Sequence, residues 1–275
     1  MLLRLPDPFS FELTTERFRA WGPDLANLWH EGALYRVFDQ QEVRITAAPG
    51  GVEVEPPMSL SDRSGTWHRT WPKEAVEAYL GGAFDLEGFY AFAADEPVLA
   101  PIVARLAGFR PPVVPDGFES LVTSITAQQV SLFAAFAIRN RLIERFGVRH
   151  EHAWSFPSQD ALETASPEEL VELGFSRRKA EYVIGVAAAR LDYDALAQLP
   201  DAEVKAQLVQ VRGLGEWTAD WFLARHLARP RAWPAGDLGL RKALALHYAG
   251  GVDPARFAPF ENLTAHYLLL SLRFP

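Results

Sequence analysis

A chain of 275 residues is long enough for two domains, and a composition of 49% hydrophobic and 23% charged residues is typical of globular proteins. The absence of cysteine excludes disulfide bonds, thiolate zinc sites, iron–sulfur clusters and cysteine nucleophiles. The formal net charge of -8 argues against broad nucleic-acid binding, for which a basic domain is expected. No stretch approaches the ~20 apolar residues that span a bilayer, so we expect a cytoplasmic protein.

The first part of the sequence predicts a small antiparallel sheet with one or two helices. Residues 43–46 and 52–55 flank a Pro-Gly-Gly turn and are typical of a β-hairpin. Residues 34–38 alternate as a strand does, whereas residues 18–29 are predicted to be helical. Four tryptophans are assigned to the core or to packing between domains: Trp21, Trp29, Trp67 and Trp71.

A proline-rich connector is predicted between about residues 85 and 116, with a short helix near residues 99–106. Asp116 and Glu119 have the spacing of a capping box, and the helical sequence that follows is broken near Thr126 and ends at Gly147.

Further helices are predicted after Gly147. Ser166-Pro167-Glu168-Glu169 is a second capping box, and residues 176–190 form another helix. We therefore predict an α+β fold, in which a small N-terminal domain with its connector covers residues 1–110 and an all-α domain covers residues 111–275.

A pair of helices around a glycine turn is the most informative part of the sequence. Asp201 is predicted to cap a helix over about residues 202–210, and a second helix starts at about Glu216. Between them, Gly213-Leu214-Gly215 form a turn that needs positive φ or a close backbone approach. The start of the second helix offers free N–H groups to a phosphate, although the turn alone also fits an ordinary corner between helices.

The second helix has two apolar faces. Trp217 and Trp221 share one stripe, and Phe222 and Leu223 lie on the opposite side. Such a helix is either buried throughout or forms the core on one side and an aromatic pocket on the other. His226 is interpreted as a packed histidine, because no second metal ligand follows at a recognisable spacing.

One aspartate, Asp237, follows a Pro/Gly-rich loop and precedes the apolar run 238–246, so its first interpretation is a helix N-cap. The complete pattern is VRGLGEWTADWF followed by WPAGDLGLRKAL. It resembles the helix-hairpin-helix DNA glycosylases, in particular their alkylpurine branch, DNA-3-methyladenine glycosylase II. The resemblance extends over most of the chain, more weakly in the N-terminal part.

The resemblance implies a monofunctional glycosylase of base excision repair. Such an enzyme flips alkylated purines, for example 3-methyladenine and 7-methylguanine, out of double-stranded DNA and hydrolyses the N-glycosidic bond. Asp237 would be the catalytic residue that stabilises the cationic sugar and orients water. A second acid is not obvious, and a base that already carries positive charge needs none because it leaves neutral. Trp217 matches the position of the Schiff-base lysine of strand-cutting relatives, so lyase activity is not expected.

The resemblance also implies contacts with DNA. The segment 125–131 matches the family segment that enters DNA at the lesion, and Gln129 matches the residue that fills the gap left by the flipped nucleotide. An exposed Gln-Gln pair at a helix break is the plain alternative. The implied DNA-binding residues are Gln128, Gln129, Gly213, Gly215, Glu216 and Arg241. Between Val204 and His247, seven basic residues against three acidic ones allow a local basic face.

No cofactor is expected for catalysis. The resemblance implies a structural monovalent cation, sodium or potassium, on the backbone carbonyls of Val209, Val211 and Leu214. We expect a monomer that binds DNA and has neither a membrane partner nor an iron–sulfur cluster.

Two alternatives stay open: a non-catalytic helix-hairpin-helix DNA-binding protein, in which Asp237 is only a cap and the aromatic residues are core, and a bifunctional glycosylase-lyase. If Trp217 and Trp221 form an electron-rich base pocket, cation–π interactions predict faster excision of 3-methyladenine and 7-methylguanine than of hypoxanthine.

Overall fold

The computed structural model describes residues 1–55, 73–249 and 251–274. Its N-terminal part is an antiparallel sheet with the strand order β1-β5-β4-β3-β2. The strands are β1 (Leu2–Arg4), β2 (Asn27–His30), β3 (Ala33–Phe38), β4 (Gln41–Ala48) and β5 (Gly51–Glu55). The predicted hairpin is β4–β5, in which Ala48 lies opposite Gly51.

Two helices, α1 (Phe11–Thr15) and α2 (Lys73–Tyr79), close the hydrophobic core of the sheet. Their buried residues Phe11 and Val76 belong to the same cluster as Leu34 and Ile45 of the central strands. Leu34 and Ile45 lie on the sheet face that packs on these helices, and Ala33 and Tyr35 on the opposite face are also buried, against Ala153.

The predicted helix over residues 18–29 is wrong. A short 3-10 helix ends at Phe18, and Asn27 begins strand β2. Gly22 and Pro23 do not favour a continued helix, and the carboxylate of Asp24 accepts the backbone N–H of Ala26 at 3.2 Å and of Asn27 at 3.3 Å. This local turn directs the chain into the sheet instead of into a helix.

The rest of the described chain is mainly helical. The helices are α3 (Leu86–Ala94), α4 (Leu99–Arg105), α5 (Gly117–Ala127), α6 (Leu132–Phe146), α7 (Gln159–Glu163), α8 (Pro167–Glu172), α9 (Arg177–Ala188), α10 (Tyr193–Gln198), α11 (Asp201–Leu208), α12 (Glu216–Arg225), α13 (Leu238–His247) and α14 (Glu261–Ser271). A short hairpin of β6 (Val148–Arg149) and β7 (Trp154–Ser155), which the sequence analysis did not predict, interrupts them.

The capping predictions are confirmed in part. Ser166 forms the complete capping box of α8 with Glu169. Asp116 caps α5 by accepting the Glu119 N–H at 2.7 Å, but the Glu119 side chain turns away from the helix start. The N-cap assigned to Asp201 is wrong: Pro200 is the N-cap and Asp201 is the first helical residue, where its carboxylate faces Arg229 at 3.3 Å. A first-turn carboxylate still stabilises the helix dipole.

The helices pack around two hydrophobic clusters. One includes Leu121 of α5, Val183 of α9 and Phe222 of α12. The other joins α3 and α4 of the predicted connector to the C-terminal helices α13 and α14, with Phe89 against Tyr267 at a ring distance of 4.9 Å. The connector helices therefore pack on C-terminal helices, and the domain boundary at residue 110 stays a prediction.

A buried ion network joins the sheet to the helices. Glu119 of α5 accepts two hydrogen bonds from Arg36 of β3, at 3.0 and 2.5 Å, and one from Arg139 of α6 at 2.7 Å. Arg139 also pairs with Asp24. Burial acts to raise the pKa of Glu119, but the two guanidinium groups outweigh it and lower that pKa. The network fixes α5 and α6 relative to the sheet.

Tryptophans add to this packing. Trp29 lies against Phe11 in the sheet core at a ring distance of 5.6 Å, and Trp21 reaches Phe133 of α6 at 5.3 Å. Both agree with the predicted roles in the core and between domains. The predictions for Trp67 and Trp71 lie outside the described residues.

Candidate functional site

A cleft of about 850 Å³ lies between the α5–α6 turn, the α11–α12 hairpin and the loop before α13. Three separate stretches of sequence meet there. Its lining includes six of the predicted site residues, which are Gln128, Gln129, Gly215, Trp217, Trp221 and Asp237. The fold therefore brings together residues up to 109 positions apart in the sequence, from Gln128 to Asp237.

Asp237 is a helix cap whose carboxylate also lines the cleft. Its Oδ1 accepts the backbone N–H of Leu240 at 3.0 Å, which starts α13, while its Oδ2 accepts the indole N–H groups of Trp221 at 3.1 Å and Trp217 at 3.3 Å. Three donors from two elements fix the carboxylate at the edge of the cleft. The capping and catalytic interpretations of Asp237 are therefore compatible.

The two tryptophans share one stripe of α12, but their environments differ. Trp217 is half-buried, whereas Trp221 is only 2% exposed. The guanidinium of Arg225 lies 3.5 Å from the Trp221 ring centre, and His266 meets that ring edge-on at 5.6 Å. Arg225 already covers one face of the Trp221 ring, so the expected cation–π contact between a lesion and Trp221 has no room on that face. Trp221 positions Asp237 through its N–H group.

The two hairpin glycines serve different purposes. Gly213 has φ +99°, and a Cβ there would lie 2.3 Å from the ring of Tyr182, so both conformation and space require glycine. Gly215 has φ -108°, and a Cβ would meet no atom within 4 Å. The space beside Gly215 is open toward the cleft, which leaves the backbone at the start of α12 accessible. Of the two predicted reasons for glycine in this turn, positive φ applies to Gly213, whereas the close backbone approach of a phosphate at Gly215 stays a prediction.

The two glutamines at the α5–α6 break also differ. Gln128 donates its side-chain amide to the Gly213 carbonyl at 3.0 Å, so this side chain joins the break to the hairpin rather than extending outward. Gln129 is exposed at the cleft and has φ +55°, a left-handed conformation that a non-glycine residue seldom adopts. Gln129 is therefore exposed, and its contact with DNA stays a prediction, whereas Gln128 supports the hairpin.

The remaining predicted DNA-binding residues are on the surface. Glu216 is exposed, and its carboxylate pairs with Lys205 at 3.3 Å. Lys205 also binds the buried Asp220 at 2.7 Å, which joins α11 to α12 on either side of the hairpin. Arg241 is exposed on the first turns of α13.

The hairpin carbonyls fit the implied cation in part. The Val211 oxygen already accepts the Leu214 N–H at 3.0 Å. In the described ranges, neither the Val209 nor the Leu214 oxygen receives a hydrogen bond from the protein. Two oxygens without donors at one turn are suitable ligands for a hard cation, and the Val211 oxygen retains a second lone pair.

Sequence reasoning missed the cationic side chains at the cleft. Arg225 lies four residues after Trp221, on the same helical stripe, and that spacing could have revealed it. Arg17 and Arg139 also line the cleft, but they come from other elements and had no local signal. His226 is a packed histidine, as predicted: its Nδ1 lies 2.8 Å from the Val114 oxygen, and burial lowers its pKa.

Fold and cleft together define a helix-hairpin-helix protein. Its hairpin lies beside a carboxylate, Asp237, that caps the next helix. The model of the HhH-GPD superfamily of base excision DNA repair proteins matches residues 122–256. Over these residues the chain is similar to the members of this superfamily.

Similar proteins agree with this match. The chain is 30% identical to the DNA-3-methyladenine glycosylase of Bacillus subtilis, over 62% of this chain and 60% of that protein. It is 31% identical to DNA-3-methyladenine glycosylase 2 of Escherichia coli, over 52% of this chain and 50% of that protein. The chain therefore spans about half to three fifths of these relatives.

A solved structure matches over nearly the full length. The 3-methyladenine DNA glycosylase from Archaeoglobus fulgidus superposes with a TM-score of 0.85 at 26% identity, covering 100% of this chain and 99% of that one. The α+β fold with a helical second part is thus shared. In the described residues, no helix combines the length and the apolar character needed to cross a membrane.

Proposed function

We propose that this protein is a monofunctional DNA glycosylase that removes alkylated purines, such as 3-methyladenine and 7-methylguanine, from double-stranded DNA. The observation that carries the proposal is the position of Asp237, a carboxylate fixed by three N–H donors at the edge of a base-sized cleft and beside the hairpin. The similar proteins, which are named as 3-methyladenine DNA glycosylases, support the same substrate class.

The reaction needs one well-placed carboxylate. As the N-glycosidic bond breaks, its electron pair leaves with the base, so an N-alkylated purine departs neutral and the sugar becomes cationic. The negative charge of Asp237 stabilises that cation, and water then adds to the sugar carbon and loses its proton to the carboxylate or to solvent. The Trp217 and Trp221 N–H groups keep the carboxylate oriented without neutralising it.

The DNA backbone would bind at the hairpin. The open space beside Gly215 allows a phosphate to approach the first N–H groups of α12, where the helix dipole favours negative charge. The exposed Gln129, across the cleft from the hairpin, would fill the gap in the duplex. A sodium or potassium ion held by Val209, Val211 and Leu214 would add positive charge near that phosphate.

We assign no strand cleavage to the protein. A lyase of this type needs an amine that attacks the sugar carbon. Trp217 occupies the position that matches the Schiff-base lysine of strand-cutting relatives, and no lysine is present among the described residues that line the cleft. The duplex should therefore remain continuous after base removal until alkali is added.

The test is a cleavage assay on a duplex that carries one 7-methylguanine. Incubation with protein followed by hot alkali should break the strand at the lesion, and omission of alkali should leave it intact. Asp237→Asn should give no alkali-sensitive site. Breakage without alkali, together with trapping by borohydride, would establish a glycosylase-lyase. Retained binding of damaged DNA without base release would establish the non-catalytic alternative.

A further inference from the structure

Arg225, at the last turn of α12, is a cation that lacks a matching anion. Its guanidinium stacks on Trp221 at 3.5 Å and lines the cleft. Among the described residues, no carboxylate lies within 4.0 Å of it, and its buried Nε has no hydrogen-bond partner. Buried arginines normally pair with carboxylates, as Arg36 and Arg139 do in this protein. Arg225 therefore has unused donors.

Neighbouring groups compensate for this charge only in part, through Asp237, which acts to raise the pKa of Arg225. Arg17, another cation of the cleft lining, acts with burial to lower the pKa of Arg225. His266, on the edge of Trp221, is kept neutral because burial and Arg225 lower its pKa to about 3. Asp237 is the acidic residue of the described lining, and its oxygens already accept the two indole groups and the α13 cap.

A guanidinium has only donors, arranged as a planar fork. A purine with a carbonyl at position 6 offers that fork an acceptor: hypoxanthine presents O6 and N7, and 7-methylguanine presents O6. The 6-amino group of 3-methyladenine instead presents donors, which would face the donors of Arg225. The positive charge of an N-methylated nucleotide opposes the guanidinium charge for 3-methyladenine and 7-methylguanine alike, so the group at position 6 makes the difference between those two lesions.

We propose that Arg225 selects the extruded base by its edge, favouring 6-oxopurines (hypoxanthine and 7-methylguanine) over 6-aminopurines (3-methyladenine). This inference rests on the proposed glycosylase function and adds a specificity-determining residue to the same cleft. It concerns the ratio of excision rates between two lesions, so differences in the intrinsic strength of their glycosidic bonds cancel when variants are compared.

The test compares single-turnover excision of hypoxanthine and 3-methyladenine by the unchanged protein, three Arg225 variants and one control variant. Arg225→Met removes both donors and charge and should lower the hypoxanthine to 3-methyladenine rate ratio about tenfold or more, the effect of losing one or two hydrogen bonds to a base edge. Arg225→Gln, which keeps an uncharged donor, should lower the ratio less. Arg225→Lys should keep the charge but lose the fork. Arg145→Met, on the exposed end of α6, is the matched control and should leave the ratio unchanged.

Affinity provides a second readout that does not need turnover. Duplexes in which the hypoxanthine nucleotide carries a 2′-fluorine, which slows bond cleavage, should bind Arg225→Met more weakly than the unchanged protein, whereas undamaged duplex should bind both equally. Thermal unfolding shows whether each variant is folded. If Arg225→Met does not fold, the rate ratio and the affinity measured with Arg225→Gln decide the test.

The outcomes separate the two proposals. If the unchanged protein releases neither base, the glycosylase function fails. If it releases both, and every folded Arg225 variant keeps the ratio and the affinity within twofold of the unchanged protein, the edge-selection role of Arg225 is overturned and the glycosylase function stands.

Discussion

Replacing Asp237 with asparagine tests the centre of the site, and the structure gives the local cost. The carboxylate accepts three N–H groups, from Leu240 on one oxygen and from Trp217 and Trp221 on the other. An amide has one acceptor oxygen. If that oxygen faces the indoles, the Leu240 N–H loses its cap, at a cost of about 1 kcal/mol. If it faces Leu240, two indole donors face the amide NH₂, at about 1–3 kcal/mol each.

The first arrangement costs less, so we expect Asp237→Asn to fold with a free energy of unfolding about 1 kcal/mol lower. Asparagine is therefore not the neutral cap replacement that the sequence alone suggests. The catalytic loss should be larger. A unit charge about 4 Å from the developing sugar cation contributes roughly 4 kcal/mol at an effective dielectric constant of about 20, which corresponds to a rate loss of about 10³-fold.

Single-turnover excision of 7-methylguanine, corrected for the folded fraction, measures this loss. Asp192→Asn is the matched control, because Asp192 caps α10 with the same geometry and is exposed outside the cleft. That control should lose little stability, because one amide oxygen still accepts the single Ala195 N–H, and should lose no activity. Asp237→Asn that turns over within about fivefold of the unchanged protein would refute the catalytic assignment. Affinity for abasic duplex should change little, since DNA backbone contacts lie at the hairpin.

Four further changes test the surrounding structure. Glu119→Gln leaves the buried Arg36 guanidinium without its carboxylate, whereas Arg139 keeps Asp24, and should cost about 3–5 kcal/mol in denaturant unfolding. Because the folded pKa of Glu119 is lowered, its stabilising effect should be complete above the ordinary value of 4.5 and disappear as pH falls through the folded pKa, and unchanged acid unfolding of the variant would contradict this. Gly213→Ala should lower the melting temperature, because both conformation and space require glycine there. Gly215→Ala should keep the melting temperature and weaken binding to lesion and normal duplex alike. The reversed pattern would show that the roles assigned to the two glycines are wrong. Gln129→Ala should weaken anisotropy-measured binding to abasic duplex more than to undamaged duplex, and equal losses would make it an ordinary surface residue. Trp221→Phe keeps the ring but removes the N–H to Asp237, so excision should fall about tenfold while thermal stability changes by about 1 kcal/mol, and an unchanged rate would return Trp221 to a purely structural role.

Local chemistry is what the sequence determined by itself. The hairpin, the start of α12 at Glu216, the Asp237 cap and the Ser166 capping box all depend on residues within a few positions of each other. Backbone conformation and capping act over that range, so the pattern contains them. The local errors, at residues 18–29 and at Asp201, arose where a turn competed with apolar periodicity and where Pro200 took the cap position.

Tertiary structure alone decided how these local elements meet. The ion network of Arg36, Glu119 and Arg139, the Gln128 contact with the hairpin and the stacking of Arg225 beside the indole donors depend on side chains from separate elements. No periodicity indicates such partners, because burial and packing select them only after the helices have assembled. For the same physical reason, the sequence pattern indicates the proposed catalytic aspartate, whereas only the assembled fold shows the charge of the cleft around it.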